Sequence, residues 1–225
     1  MKPSLANASQ DAAVFSFPEH LATTSAGRPK GERTRAQLQI AACKVLQDGG
    51  PQGLTVAEIC KETGVSNGTF YLYFKDRNAL LDSLLRAFVA FLQLAMRAAS
   101  EREGHDAPRA ATRAYLRLFE RNSGLMRSLI HPTDGFPEAQ AAFQTLNREW
   151  IEAVVASVER RQRQEGKTAP PRDELLRRAY ALGGMVDQYL SNLLLAKDPA
   201  LIEISQDRDA VLETLSLLWD RGMTA

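Results

Sequence analysis

The tetrapeptide Thr63-Gly64-Val65-Ser66 constrains this chain more than any other stretch, because it joins two short helical patterns by a turn too tight for most sequences. Thr55 opens the first pattern as an N-cap, and Glu58, three residues on, completes a capping box. Val56, Ile59 and Cys60 are its inward residues. Gly64 ends that helix where the backbone needs a positive φ. Val65 plugs the angle with an apolar side chain, and Ser66 caps a third helix that the pattern carries from Asn67 to about Phe74. Two short helices meeting across such a turn form a helix-turn-helix unit.

The remaining periodicity is helical as well. Ahead of the turn, Leu38, Ala41, Ala42, Val45 and Leu46 make one apolar face, stopped by Gly49-Gly50-Pro51. Behind it, Leu80, Leu81, Leu84, Leu85, Phe88, Val89, Leu92 and Met96 predict a long fourth helix starting near Asp76. Further helices are expected over 108–122, Gly124–Ile130, Pro137–Gln164 and 172–196. A last one, capped by Asp207, faces inward with Val211, Leu212, Leu215, Leu218 and Trp219. The expectation is an all-α protein of about nine helices. Residues 1–27, rich in Ala, Ser, Thr and Asn without a period, read as a flexible N-terminal arm; 28–80 form the helix-turn-helix domain and 81–225 a helical body.

Composition removes several classes. The 44% apolar and 24% charged content is that of a globular chain of 225 residues. No segment reads as a membrane span or a secretory leader, so a cytoplasmic protein is expected. Cys43 and Cys60 lack metal-binding spacing and fit reduced, packed thiols. The nucleophile-elbow, dinucleotide, phosphate-loop and zinc-protease motifs are absent, and His20, His105 and His131 are scattered. His131 near Asp134 reads as a polar turn, and Asp173-Glu174 as acids at a helix start. No catalytic residue, metal or cofactor is expected.

The third helix is unusual. Phe70 and Phe74 face the core, while Ser66, Asn67, Thr69, Tyr71 and Tyr73 occupy its other faces. Hydroxyls and amides near a helix start donate well to phosphate oxygens, Asn reads adenine edges, and Gly68 permits close approach to a groove. From Arg33 to about Leu85 the sequence resembles the tetracycline-repressor (TetR) family of bacterial transcription regulators. Thr34-Arg35, Ala41-Ala42, Leu54-Thr55-Val56 and the run Gly64 to Phe74 carry the likeness. Cys60 replaces the usual Ala and Arg77 the common Lys, both mild departures. The resemblance implies that Ser66, Asn67, Gly68 and Tyr73 face base edges, while Thr55, Thr69, Tyr71 and Lys75 hold phosphates. It also implies a homodimer on a palindromic double-stranded operator.

For residues 105–225 the resemblance implies a ligand cavity and a dimer built by the last two helices. Candidate lining residues are Phe88, Leu92, Tyr115, Phe119, Leu129, Phe143, Trp150, Tyr180, Met185 and Asp187; candidate dimer residues are Gly183, Gly184, Leu190, Leu215 and Trp219. Gly183-Gly184 inside a helix costs about 2 kcal/mol against Ala-Ala, which close helix approach could repay. Asp187, on an otherwise apolar helix, fits three roles: bonding a ligand, pairing with an Arg across a dimer, or facing water. The functional expectation is a repressor released by a small, mostly apolar effector. The alternatives are a DNA-binding architectural or cell-division protein on the same scaffold without a pocket, and an all-helical enzyme or interaction module. The net charge of +1 conceals a +3 segment over 28–90 flanked by −1 on either side.

Overall fold

The computed structural model describes residues 15–102, 107–131 and 137–224. Residues 1–14 of the expected arm, together with His105 and Asp134, lie outside the described residues. Every regular element described is helical: α1 (Phe17–Ser25), α2 (Lys30–Gly53), α3 (Val56–Thr63), α4 (Asn67–Tyr71), α5 (Arg77–Arg102), α6 (Ala107–Arg121), α7 (Ser123–Ile130), α8 (Pro137–Gln164), α9 (Arg172–Leu190), a π-helical segment (Ser191–Ala196), α10 (Pro199–Ile204) and α11 (Arg208–Thr224). The two helices not anticipated are the short α1 and α10. The chain divides into two compact units, one of Met1–Ala95 with Arg117–Ala142 and one of Met96–Leu116 with Phe143–Ala225.

In unit 1, α2 buries Leu38, Ala41, Ala42 and Leu46, while Val45 is half-buried. Its helical conformation breaks at Gly50, whose φ is 63°, as the Gly-Gly-Pro signal requires. Helix α7 packs on α2. Gln47 joins them, donating from Nε2 to Ser123 Oγ at 2.9 Å and accepting from the Gly124 N–H at 3.1 Å.

Part of the expected arm is ordered into α1. Its anchor is Phe17, only 1% exposed, with ring centroids 5.3 Å from Phe88 and 5.4 Å from Phe91. Asn122 fixes the entry: Oδ1 accepts from the Phe17 N–H, and Nδ2 donates to the Phe15 carbonyl, both at 2.8 Å. Phe15, Phe17 and Leu21 fall in a stretch with no sustained period, so the sequence pattern missed this helix.

Helix α5 is the one candidate span among the described residues. It is long and apolar enough to cross a membrane by length and composition, yet 56% of its most apolar stretch is buried inside the protein, as in the core helix of a globular domain. Both cysteines are free and buried. Desolvation pushes the Cys43 thiol up to about 12 and raises Cys60 as well.

Unit 2 is knit by helix crossings. Helix α11 buries Val211, Leu212, Leu215, Trp219 and Met223, a single face at helical spacing. Leu218, expected inside, is 42% exposed, because it lies off that face. Arg178 ties α9 to α11 through the Gly222 carbonyl at 3.3 Å. Arg172 bridges Glu159 at 2.9 Å and also pairs with Glu152.

Candidate nucleic-acid interface and cavity

The geometry of the helix-turn-helix follows from its caps. Thr55 Oγ1 accepts from the Glu58 N–H at 3.1 Å, which starts α3. Gly64 sits in the left-handed region at φ 71°, which ends it. Ser66 Oγ then accepts from the Thr69 N–H at 3.1 Å and lies 3.0 Å from Thr69 Oγ1. The third helix is shorter than the pattern indicated. It closes at Tyr71, and the N–H groups of Tyr73 and Phe74 both turn back to the Phe70 carbonyl.

Phe70 and Phe74 are buried, with centroids 5.9 Å apart. The Arg35 guanidinium braces them from α2, lying 4.4 Å over the Phe74 ring while Nη1 donates to the Tyr73 carbonyl at 3.3 Å. Arg77 Nη1 donates to the Leu54 carbonyl at 3.0 Å, which ties the start of α5 to the start of α3. Neither arginine was singled out for this role by its spacing, since each acts across tens of residues.

This frame leaves a polar edge open. Thr55, Ser66, Asn67, Gly68, Tyr71 and Lys75 are exposed, and Thr69 and Tyr73 are half-buried. The Thr55 hydroxyl accepts from the backbone, which leaves its O–H free to act as a donor, while Ser66 and Thr69 share one O–H between their two oxygens. A Cβ on Gly68 would meet nothing closer than Ser66 Oγ at 3.7 Å. The chain's own packing therefore does not require glycine there. Leu72, 81% exposed, shares this edge and was not among the expected contacts.

Unit 2 contains a cavity of about 50 Å³. Of the expected lining residues it gathers Tyr115, Phe143, Trp150 and Asp187, and it adds Met96, Ala111, Thr112, Leu146, Asn147, Gly183, Val186 and Trp219. Phe88, Leu92, Phe119 and Leu129 are core residues of unit 1. Tyr180 is 47% exposed, and Met185 is half-buried off the lining. Of the expected dimer residues, Gly183 and Trp219 line the cavity, and Leu190 and Leu215 are buried in the chain's own core. Only Gly184 is exposed.

Trp150 and Trp219 meet edge to face at 5.1 Å. The Tyr115 hydroxyl donates to Asp187 Oδ1 at 2.7 Å. Burial raises the Asp187 carboxyl above its ordinary range, partly offset by that hydrogen bond. Burial and the neighbouring carboxylate hold the Tyr115 phenol well above its usual value, so it remains a donor. Tyr115 is a partner for Asp187 that none of the three sequence readings contained.

These features define a helix-turn-helix protein with an exposed, hydroxyl-rich third helix and a second helical unit that holds a cavity. Residues 40–84 match the profile of bacterial regulatory proteins of the tetR family, so the helix-turn-helix segment is similar to the DNA-binding domain of that family. Among curated relatives, the transcriptional regulator BetI of Pectobacterium atrosepticum is 34% identical over 80 residues, which span 36% of this chain and 41% of BetI. EthR of Mycolicibacterium smegmatis is 25% identical over 85% of this chain and 87% of its own. In fold, the fatty acid degradation regulator FadR of Bacillus halodurans aligns with TM-score 0.62 at 16% identity, covering 82% and 93% of the two chains. FadR of Bacillus subtilis, solved with stearoyl-CoA, gives 0.60 at 18%, covering 80% and 96%.

Proposed function

We propose that this chain is a DNA-binding transcriptional regulator, acting as a homodimeric repressor in the cytoplasm. In this reading it leaves a palindromic operator when a small effector occupies the unit 2 cavity. The observation that carries the reading is the open edge of Ser66, Asn67, Gly68 and Tyr71 on a frame braced by Arg35 and Arg77. Hydroxyl and amide donors held in fixed register suit phosphate and base-edge contacts. One such unit reads few base pairs, so two copies on a two-fold site supply the specificity.

Tyr180, Leu217 and Leu218 are exposed on α9 and α11 and offer apolar surface for a second copy. The cavity supports a ligand-responsive protein over an architectural one, whose body would need no cavity. A ligand lowers operator affinity only by its preference for the released state. The test is a gel shift with the protein's own upstream region and a selected operator pool. Binding is expected at low salt and should fall steeply as salt rises. Absence of sequence-selective binding in both would overturn the reading.

A further inference from the structure

Asp187 is a carboxylate set among aromatic side chains in the unit 2 cavity. Among the described residues it bonds Tyr115 and makes no ion pair. Among the described residues the cavity lining contains no Lys, Arg or His. Around it stand four aromatic side chains, Trp150, Trp219, Phe143 and Tyr115, together with the aliphatic Met96, Leu146 and Val186. An ionised carboxylate out of water is costly unless something positive meets it. Aromatic faces attract cations and do so best when desolvated.

We infer that the unit 2 cavity takes a small organic cation, an alkylated ammonium, whose charge pairs with Asp187 and whose alkyl groups lie on the Trp150, Trp219 and Phe143 rings. This assignment rests on reading the cavity as the effector site, and it names the chemical class of the effector. The Tyr115 hydroxyl, donating to Oδ1, orients the carboxylate. An acyl carboxylate of similar bulk meets like charge at Asp187 and is disfavoured.

The experiment uses three probes of nearly one shape and different charge: tetramethylammonium, tert-butyl alcohol and pivalate. Each is titrated into the full chain without DNA at constant ionic strength, followed by calorimetry and by thermal melting. The expected order is cation over neutral over anion. Asp187→Asn, with its fold checked by circular dichroism, should weaken the cation about tenfold or more while leaving the neutral probe unchanged. Equal or tighter binding of the alcohol or pivalate, no binding by any probe, or an unaltered cation affinity in Asp187→Asn would each overturn the assignment. Because DNA is absent, failure here is separate from failure of the regulator reading, which the gel shift decides. The charge order in the wild-type chain stands even if the variant does not fold.

Discussion

Gly124 lies against the backbone of Leu46 so closely that a Cβ on it would sit 2.7 Å from the Leu46 carbonyl. Nothing but hydrogen fits there, and the obstacle is main chain rather than a side chain that could swing away. Gly124→Ala should therefore force α7 off α2. The expected loss is about 1–3 kcal/mol, the usual cost of overpacking, read from the denaturant midpoint of unfolding. Wild-type stability in the variant would show that the two helices separate freely.

Phe17→Ala should be costly for a residue so near the beginning of the chain. The ring is fully enclosed and touches Phe88 and Phe91, so its removal should destabilise by about 3–5 kcal/mol. Thermal melting measures this, and a shift within the scatter of surface variants would mean that α1 detaches in solution.

Thr69→Val keeps the shape of the side chain and removes the hydroxyl that lies 3.0 Å from Ser66 Oγ. Operator affinity should drop, with unfolding altered by only about 1 kcal/mol. Fluorescence anisotropy on labelled operator, paired with a melting curve, separates the two effects. An unfolded variant would place Thr69 in the core instead of at the interface.

Asp187 gives a pH prediction with a definite sign. Its carboxyl is raised in the folded protein by burial, so the folded state holds that proton more tightly than the unfolded chain does. The stabilisation is complete below the ordinary carboxylate range and is lost as pH rises through the raised value. Asp187→Asn should flatten that decline and be no less stable than wild type at neutral pH. Urea midpoints from about pH 4 to about pH 8 measure the slope, and identical slopes would exclude burial strain at this carboxylate.

Much of unit 1 could be read from residue order because its determinants are local. Caps at Thr55 and Ser66, the turn at Gly64 and the break at Gly50 each involve residues within a few positions of one another. The braces were not legible for the opposite reason: Arg35 reaches Tyr73, and Arg77 reaches back to Leu54, through space. The cavity was half legible. Periodicity put Tyr115, Phe143 and Trp150 on inward stripes and left the direction of Asp187 open, but it could not say which stripes close on empty space and which on each other. Phe88, Leu92, Phe119 and Leu129 have the same spacing and chemistry, and they pack solidly in the other unit. The contact from Tyr115 to Asp187 spans 72 positions, and no periodic pattern encodes it.

The two sulfurs of unit 1 have a consequence for what can act as a signal. Peroxides and alkylating agents attack the thiolate, which a thiol shifted to about 12 essentially never forms near neutrality. Cys60, on the first helix of the helix-turn-helix, is shielded too. Burial therefore works against oxidation at both positions, most strongly at Cys43. A signal that acts on these helices through their sulfurs would first have to bring the cysteines to the surface.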